Sequence, residues 1–190
     1  TIVNTYLQIN PIQKLTLRTQ FGANAHFRRT DKFTPEFYID ALEQSTLSNV
    51  SREMQEWLDW NWTNTATYIT TFAEKHNINV MGGFTAERFA EFQSKASRDD
   101  VPNNMDQMQE VNAGTQNQKS EGKTAYSTLV SYLGRVMYNY DNRYYLTASI
   151  RADGSSRFPK GNKYAIFPSV SASWRIISES FMQYPKIFSN

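Results

Sequence analysis

The sequence predicts an all-β chain, an antiparallel sheet of about seven strands. Apolar and polar residues alternate with a period of two in stretch after stretch, Gly, Asn, Asp and Pro punctuate the stretches, and tight connections alternate with long ones. The pattern is clearest from Tyr144 to Ile176. Leu146, Ala148, Ile150 and Ala152 are apolar, whereas Thr147, Ser149 and Arg151 between them are polar. An Asp153-Gly154-Ser155-Ser156 turn signal and a polar loop follow; then Pro168, Val170, Ala172, Trp174 and Ile176 alternate with Ser169, Ser171, Ser173 and Arg175. Successive side chains of a strand point to opposite faces, so this hairpin has one apolar face and one wet face. Two architectures fit: a sheet packed on a protein core with water behind it, or a barrel wall with lipid outside and water inside.

In chain order, Asn4 to Ile9 reads as a strand and Asn10-Pro11-Ile12-Gln13 as the tight connection that reverses it. Leu15, Leu17, Phe21, Ala23, Ala25 and Phe27 then alternate with polar residues from Lys14 to Arg28. This run exceeds the roughly 9 to 11 residues that a tilted spanning strand needs. From Thr30 to Gln55 the alternation dissolves into a long connection. It resumes with Leu58, Trp60, Trp62, Ala66 and Tyr68, and Glu74-Lys75-His76-Asn77 closes that strand as a turn.

Ile78, Val80, Phe84, Ala86 and Phe92 form the next apolar face, where Gly82-Gly83 signals a bulge or a close backbone approach and Arg88 breaks the pattern. Ser94 to Lys123 is a second long loop, rich in Asn, Gln and Asp. Val130, Tyr132, Val136, Tyr138 and Tyr140 form another apolar face, and Asp141-Asn142-Arg143 turns the chain into the hairpin described first. Tight turns near Pro11, Lys75 and Asn142 thus alternate with long loops at 30–55, 94–123 and 154–163. One sheet edge carries only turns and the other only loops, the asymmetry of a bacterial outer-membrane barrel. By that parity Ser178 to Asn190 is a periplasmic linker before a further strand.

Composition narrows the classes. The 190 residues carry a net charge of +2, with 20 basic and 18 acidic side chains interleaved, so nothing marks a nucleic-acid footprint. No apolar run reaches the about 18 residues of a transmembrane helix. A mean hydropathy of -0.62 is compatible with a barrel, in which only alternate strand residues face lipid. Cysteine is absent, which removes disulfides and thiolate chemistry.

The run Tyr144-Tyr145-Leu146-Thr147-Ala148-Ser149-Ile150-Arg151-Ala152-Asp153-Gly154-Ser155-Ser156-Arg157-Phe158, with Phe167-Pro168-Ser169-Val170-Ser171-Ala172-Ser173-Trp174-Arg175-Ile176, closely resembles the SusC/RagA-like TonB-dependent outer-membrane transporters. Leu15 to Gly22, His76 to Val80 and Tyr132 to Val136 resemble the same family more weakly and in the same order. The resemblance implies a transmembrane β-barrel segment: about seven strands of a larger, about 22-stranded barrel, with the family's plug, TonB box and C-terminal strand missing. It further implies import of glycan or peptide nutrients across the outer membrane of a Gram-negative, Bacteroidetes-like bacterium. TonB would supply the energy and a SusD-like surface lipoprotein would lid the barrel. The alternative function is a soluble β-sandwich carbohydrate-binding module, whose aromatic residues would pack between sheets or form a sugar platform.

Arg18, Arg135, Arg151 and Arg175, with His26 also on a polar strand face, are the candidate lining of a hydrated lumen. A solvated face of a soluble sheet would carry the same residues. Trp60, Trp62, Tyr132, Tyr138 and Trp174, with Tyr68 and Tyr140, are candidate membrane-interface aromatics, against which stands ordinary core packing. No catalytic, cofactor or metal site is expected. Glu87 and Glu91 stand roughly 13 Å apart along one strand, too far for a glycosidase pair. Asp153 beside Gly154 reads as turn chemistry. The two histidines, His26 and His76, form no ligand cluster.

Overall fold

A computed structural model describes residues 1–102 and 109–182. Met105, in the second predicted loop, and 183–190, most of the predicted linker, lie outside the described residues. Strands β1 (Ile2–Ile12), β2 (Leu15–Thr34), β5 (Asn49–Phe72), β6 (His76–Asp99), β7 (Gln116–Tyr140), β8 (Tyr144–Ser155) and β9 (Tyr164–Trp174) form a seven-stranded antiparallel sheet. They pair in the order β1-β2-β5-β6-β7-β8-β9. Each strand therefore pairs with its neighbour in the main chain path, the up-and-down topology that short turns enforce. β3 (Phe37–Tyr38) and β4 (Gln44–Ser45) make a separate small hairpin inside the connection from β2 to β5.

Several boundaries differ from the expectation. The two long loops shrink to 35–48 and 100–115, because β2, β5, β6 and β7 each run further than the alternation does. The extra residues are mostly polar and carry no sustained hydrophobic period, yet their backbones still pair. Asn10 and Pro11 belong to β1, and the reversal falls at 13–14. His76 is the first residue of β6, and the turn before it occupies 73–75, with Ala73 and Glu74 at φ 47° and 57°.

Asp153 and Gly154 are not a turn. Both lie in β8, paired with Ala165 and Tyr164 of β9. A Cβ on Gly154 would stand 2.6 Å from the Tyr164 ring, so any other residue there would displace that ring. Pro168 sits mid-strand opposite Ile150 rather than at the start of β9. A strand at the end of the pairing order tolerates a residue without an N–H. Gly82-Gly83 resolves as a close approach: a Cβ on Gly83 would meet Leu133 at 3.1 Å and the Asn64 carbonyl at 3.3 Å. Arg175 lies one residue past the end of β9, and 176–178 and 180–182 form short 3-10 turns.

The chain divides into two compact units. The loop unit comprises Thr1–Ile2, Asn24–Asp59 and Phe89–Tyr126; the turn unit comprises Val3–Ala23, Trp60–Arg88 and Ser127–Asn190. All buried hydrophobic residues among those described, Val50, Ala90 and Val101, belong to the loop unit. In the turn unit the apolar face stays open. Val170 is 73% exposed, Ile166 64% and Ile150 54%. No helix among the described residues is long and apolar enough to cross a membrane, which leaves crossing by strands untouched.

Candidate functional site

In the turn unit the register segregates the faces residue by residue. β8 pairs Leu146 with Ala172, Ala148 with Val170 and Ile150 with Pro168; β7 adds Tyr138, Val136 and Gly134 to the same three rows. Between these rows lie Thr147 with Ser171, and Ser149 with Ser169 and Arg135. This second face is not uniformly polar, since Leu133 and Phe167 flank Arg151.

Aromatic residues bound the apolar face in two rows. Near the tight turns, Phe72 stacks on His76 at 4.7 Å, His76 meets Tyr140 at 5.0 Å, and the ladder continues through Tyr144 and Trp174 to Phe181. The Tyr138 hydroxyl lies 2.7 Å from His76 Nδ1. Further along the strands, Phe21 stacks on Trp60, while Trp62, Phe84 and Tyr132 form edge and tilted contacts of 6.2 and 5.4 Å. Trp62 Nε1 donates to Thr19 Oγ1 at 2.9 Å. From Tyr140 to Tyr132, on the paired strand β7, the rows stand about 26 Å apart along the strand, with Val136, Ala148, Ile150 and Val170 between them.

Trp60, Trp62 and Tyr132 thus lie in one row, Tyr138 and Trp174 in the other. Sequence reasoning missed Phe72, Tyr144, Phe21 and Phe84 as members. Their signal was present: each lies on the apolar parity of its strand.

The candidate lumen residues are not gathered at one point. Arg18 donates to Gln20 Oε1 at 3.0 Å and lies 4.4 Å over the Tyr6 ring. Arg135 reaches the Met81 sulfur at 3.9 Å. Arg151 donates to Asp153 Oδ1 at 2.6 Å and to the buried Ser131 hydroxyl at 3.3 Å. Arg175 caps the first 3-10 turn from outside the strand. His26 belongs to the loop unit, where its ring lies 5.2 Å from Trp57.

Past β9, Glu179 Oε1 accepts from the Tyr144 hydroxyl at 2.7 Å and from Trp174 Nε1 at 3.1 Å, and its other oxygen lies 3.5 Å from Arg143. These donors, the tyrosine hydroxyl first, hold its carboxyl below the usual glutamate range. In the loop unit, Ser48 Oγ accepts from the Val101 N–H at 2.8 Å and donates to the Val101 carbonyl at 3.2 Å. Asp100, at φ 63°, accepts from Thr115 and Gln116, which lower its pKa in that order. Arg52 bridges Asp31 and Glu110. No group of three or more His, Cys, Asp or Glu among the described residues is arranged to hold a metal.

Comparison with known proteins gives these features a lineage. The chain is 27% identical over 185 residues to a TonB-dependent receptor, P26, of Formosa agariphila, covering 96% of this chain and 19% of that protein. It is 44% identical over 75 residues to the TonB-dependent receptor SusC of Bacteroides thetaiotaomicron, covering 38% of this chain and 8% of SusC. The structure of the RagAB peptide transporter superposes with a TM-score of 0.86 at 26% identity, over 96% of this chain and 20% of that one. The chain is similar to a segment of the barrel of SusC/RagA-like TonB-dependent transporters. No family model matches it. As a SusC/RagA-like segment it spans about a fifth of the length of such relatives. Those relatives are named as receptors and transporters rather than enzymes.

Proposed function

We propose that the whole protein imports glycan or peptide nutrients across the outer membrane of a Gram-negative, Bacteroidetes-like bacterium, and that this chain is part of its barrel wall. One observation carries the reading: an apolar face, with Val170 73% and Ile150 54% exposed, framed by two rows of aromatic rings. At a strand tilt of about 40° the separation of the rows becomes ~20 Å of height, close to the apolar band of an outer-membrane barrel. Phe72, His76, Tyr140, Tyr144 and Trp174 are then the girdle near the periplasmic turns, and Trp60, Trp62 and Tyr132 the girdle nearer the loops. The opposite face, with Arg18, Arg135 and Arg151, lines a hydrated interior or seats a plug. His26, in the loop unit, lies on the polar parity of β2. A soluble sandwich is not favoured, since all seven strands form one sheet and none among the described residues covers the apolar face.

Energy from TonB and a SusD-like surface lipoprotein as partner belong to this reading, supported by the likeness to SusC and RagAB. The test places single cysteines on a cysteine-free full-length background in the outer membrane. Val170→Cys is expected to resist a water-soluble maleimide until detergent is added, and Ser171→Cys to react at once. Equal reactivity of the two would defeat the assignment of faces.

A further inference from the structure

The β3–β4 hairpin in the loop unit carries a cluster of apolar side chains that no other described residue covers. Leu42 is 98% exposed, Tyr38 72%, Ile39 65% and Phe37 42%. Single exposed apolar residues are ordinary, but a contiguous group on one turn marks an interaction surface. The turn is built rather than slack. Asp40 Oδ1 accepts the Leu42 and Glu43 N–H groups at 2.7 and 2.8 Å, and the Ile39 N–H bonds the Glu43 carbonyl at 3.0 Å. The same two N–H groups keep the Asp40 carboxyl charged well below its usual range. Pre-ordering of this kind lowers the entropy lost on docking.

Charge selects the occupant. Between Phe33 and Ser51 the sequence has Glu36, Asp40 and Glu43 and no Lys or Arg, so the apolar tip is ringed by negative charge. Of the two flanking cations, Arg52 is already engaged by Asp31 and Glu110, and Lys32 lies outside the hairpin, in β2. An anionic lipid surface would be repelled, and a second copy of the tip would bring like charges together. An apolar cleft with a basic rim complements it.

We propose that this hairpin is a docking surface, inserting Ile39 and Leu42 into an apolar, basic-rimmed cleft of a partner protein at the cell surface. The inference rests on the transporter reading above and deepens it by naming the contact and its chemistry.

The full-length transporter, purified from outer membranes together with its SusD-like lipoprotein, provides the test. Ile39→Asp with Leu42→Asp is expected to cut the lipoprotein retained per transporter by about tenfold. Glu36→Lys with Glu43→Lys should lower it too, with a deficit that shrinks at high salt. Because Leu42 is almost wholly exposed, these changes leave the fold intact. A photocrosslinker replacing Leu42 should form its adduct on an apolar peptide of the partner flanked by Lys or Arg. Unchanged retention in both variants, or crosslinks only to lipopolysaccharide or a second copy, would overturn the proposal. If the wild-type transporter retains no lipoprotein, the partner of the transporter reading is lost. The crosslink then decides the hairpin separately, by whether it reaches another basic-rimmed protein cleft.

Discussion

The turn unit and the loop unit are built from continuous strands of one sequence, yet the hydrophobic period is sustained in the turn unit and fades in the loop unit, after Phe27 in β2 and after Phe92 in β6. β5 makes the contrast within a single element. Its residues from Trp60 onward alternate Trp60 and Trp62 with Asn61 and Thr63, whereas Ser51 to Glu56 is Ser-Arg-Glu-Met-Gln-Glu. Alternation is imposed when the two faces of a strand meet different solvents. Where water wets both faces, the ladder of backbone hydrogen bonds holds the strand and the side chains are free to be polar. Cohesion differs accordingly. The loop unit has a small buried cluster at Val50, Ala90 and Val101 and a polar clasp at Ser48, while the turn unit relies on ring contacts along an open face.

A charge on the apolar face should break this comparison hardest. On the proposed bilayer reading, Val170→Arg is expected to cost about 2–4 kcal/mol, against less than about 1 kcal/mol for Ser171→Arg on the other face. Denaturant unfolding of the full-length protein in vesicles measures both. Similar costs would mean that the faces do not separate lipid from water.

Next comes the loop unit. Ser48→Ala leaves the buried Val101 N–H and carbonyl without their side-chain partner, an expected loss of ~1–3 kcal/mol. Faster hydrogen exchange at Val101 and quicker cleavage within 99–102 should report it, while the turn unit stays protected.

Trp62→Phe keeps an aromatic ring but deletes the N–H that Thr19 accepts. About 0.5–1.5 kcal/mol is expected, read as a lower unfolding midpoint. A loss several times larger would show that the ring-to-hydroxyl bond, not ring burial, organises that row.

The smallest effect is the pH response of the segment after β9. The Glu179 pKa is lowered in the folded chain, so its bonds stabilise above the ordinary glutamate range and are lost as pH falls through the depressed value. Protease protection of 176–182 should therefore persist at neutral pH and fade on acidification. Glu179→Gln should be flat over that range, and an unchanged acid response in this variant would remove Glu179 from the account.

The hairpin Tyr144 to Trp174 was legible in detail because each residue from Leu146 to Ala152 had its face assigned by parity, and β9 took the same parity. Asp153-Gly154 misled for a physical reason. The dipeptide is common turn chemistry, but here the glycine makes room for the Tyr164 ring from the neighbouring strand, a contact across sequence that no local signal encodes. The arginine row was a list of side chains on one face. Their partners, Tyr6 for Arg18, Met81 for Arg135 and Asp153 for Arg151, depend on neighbouring strands and rotamers as well as parity.

By itself the sequence determined the strand-and-turn order and the two chemically distinct faces of the turn unit, because a two-residue period and turn residues are local properties. Only the tertiary structure decided how far the polar strands continue, which rings join into rows and how the β3–β4 tip is held. These depend on register between strands and on hydrogen bonds closed over long sequence separations. Polar residues satisfy them equally well in several arrangements until the backbone is in place.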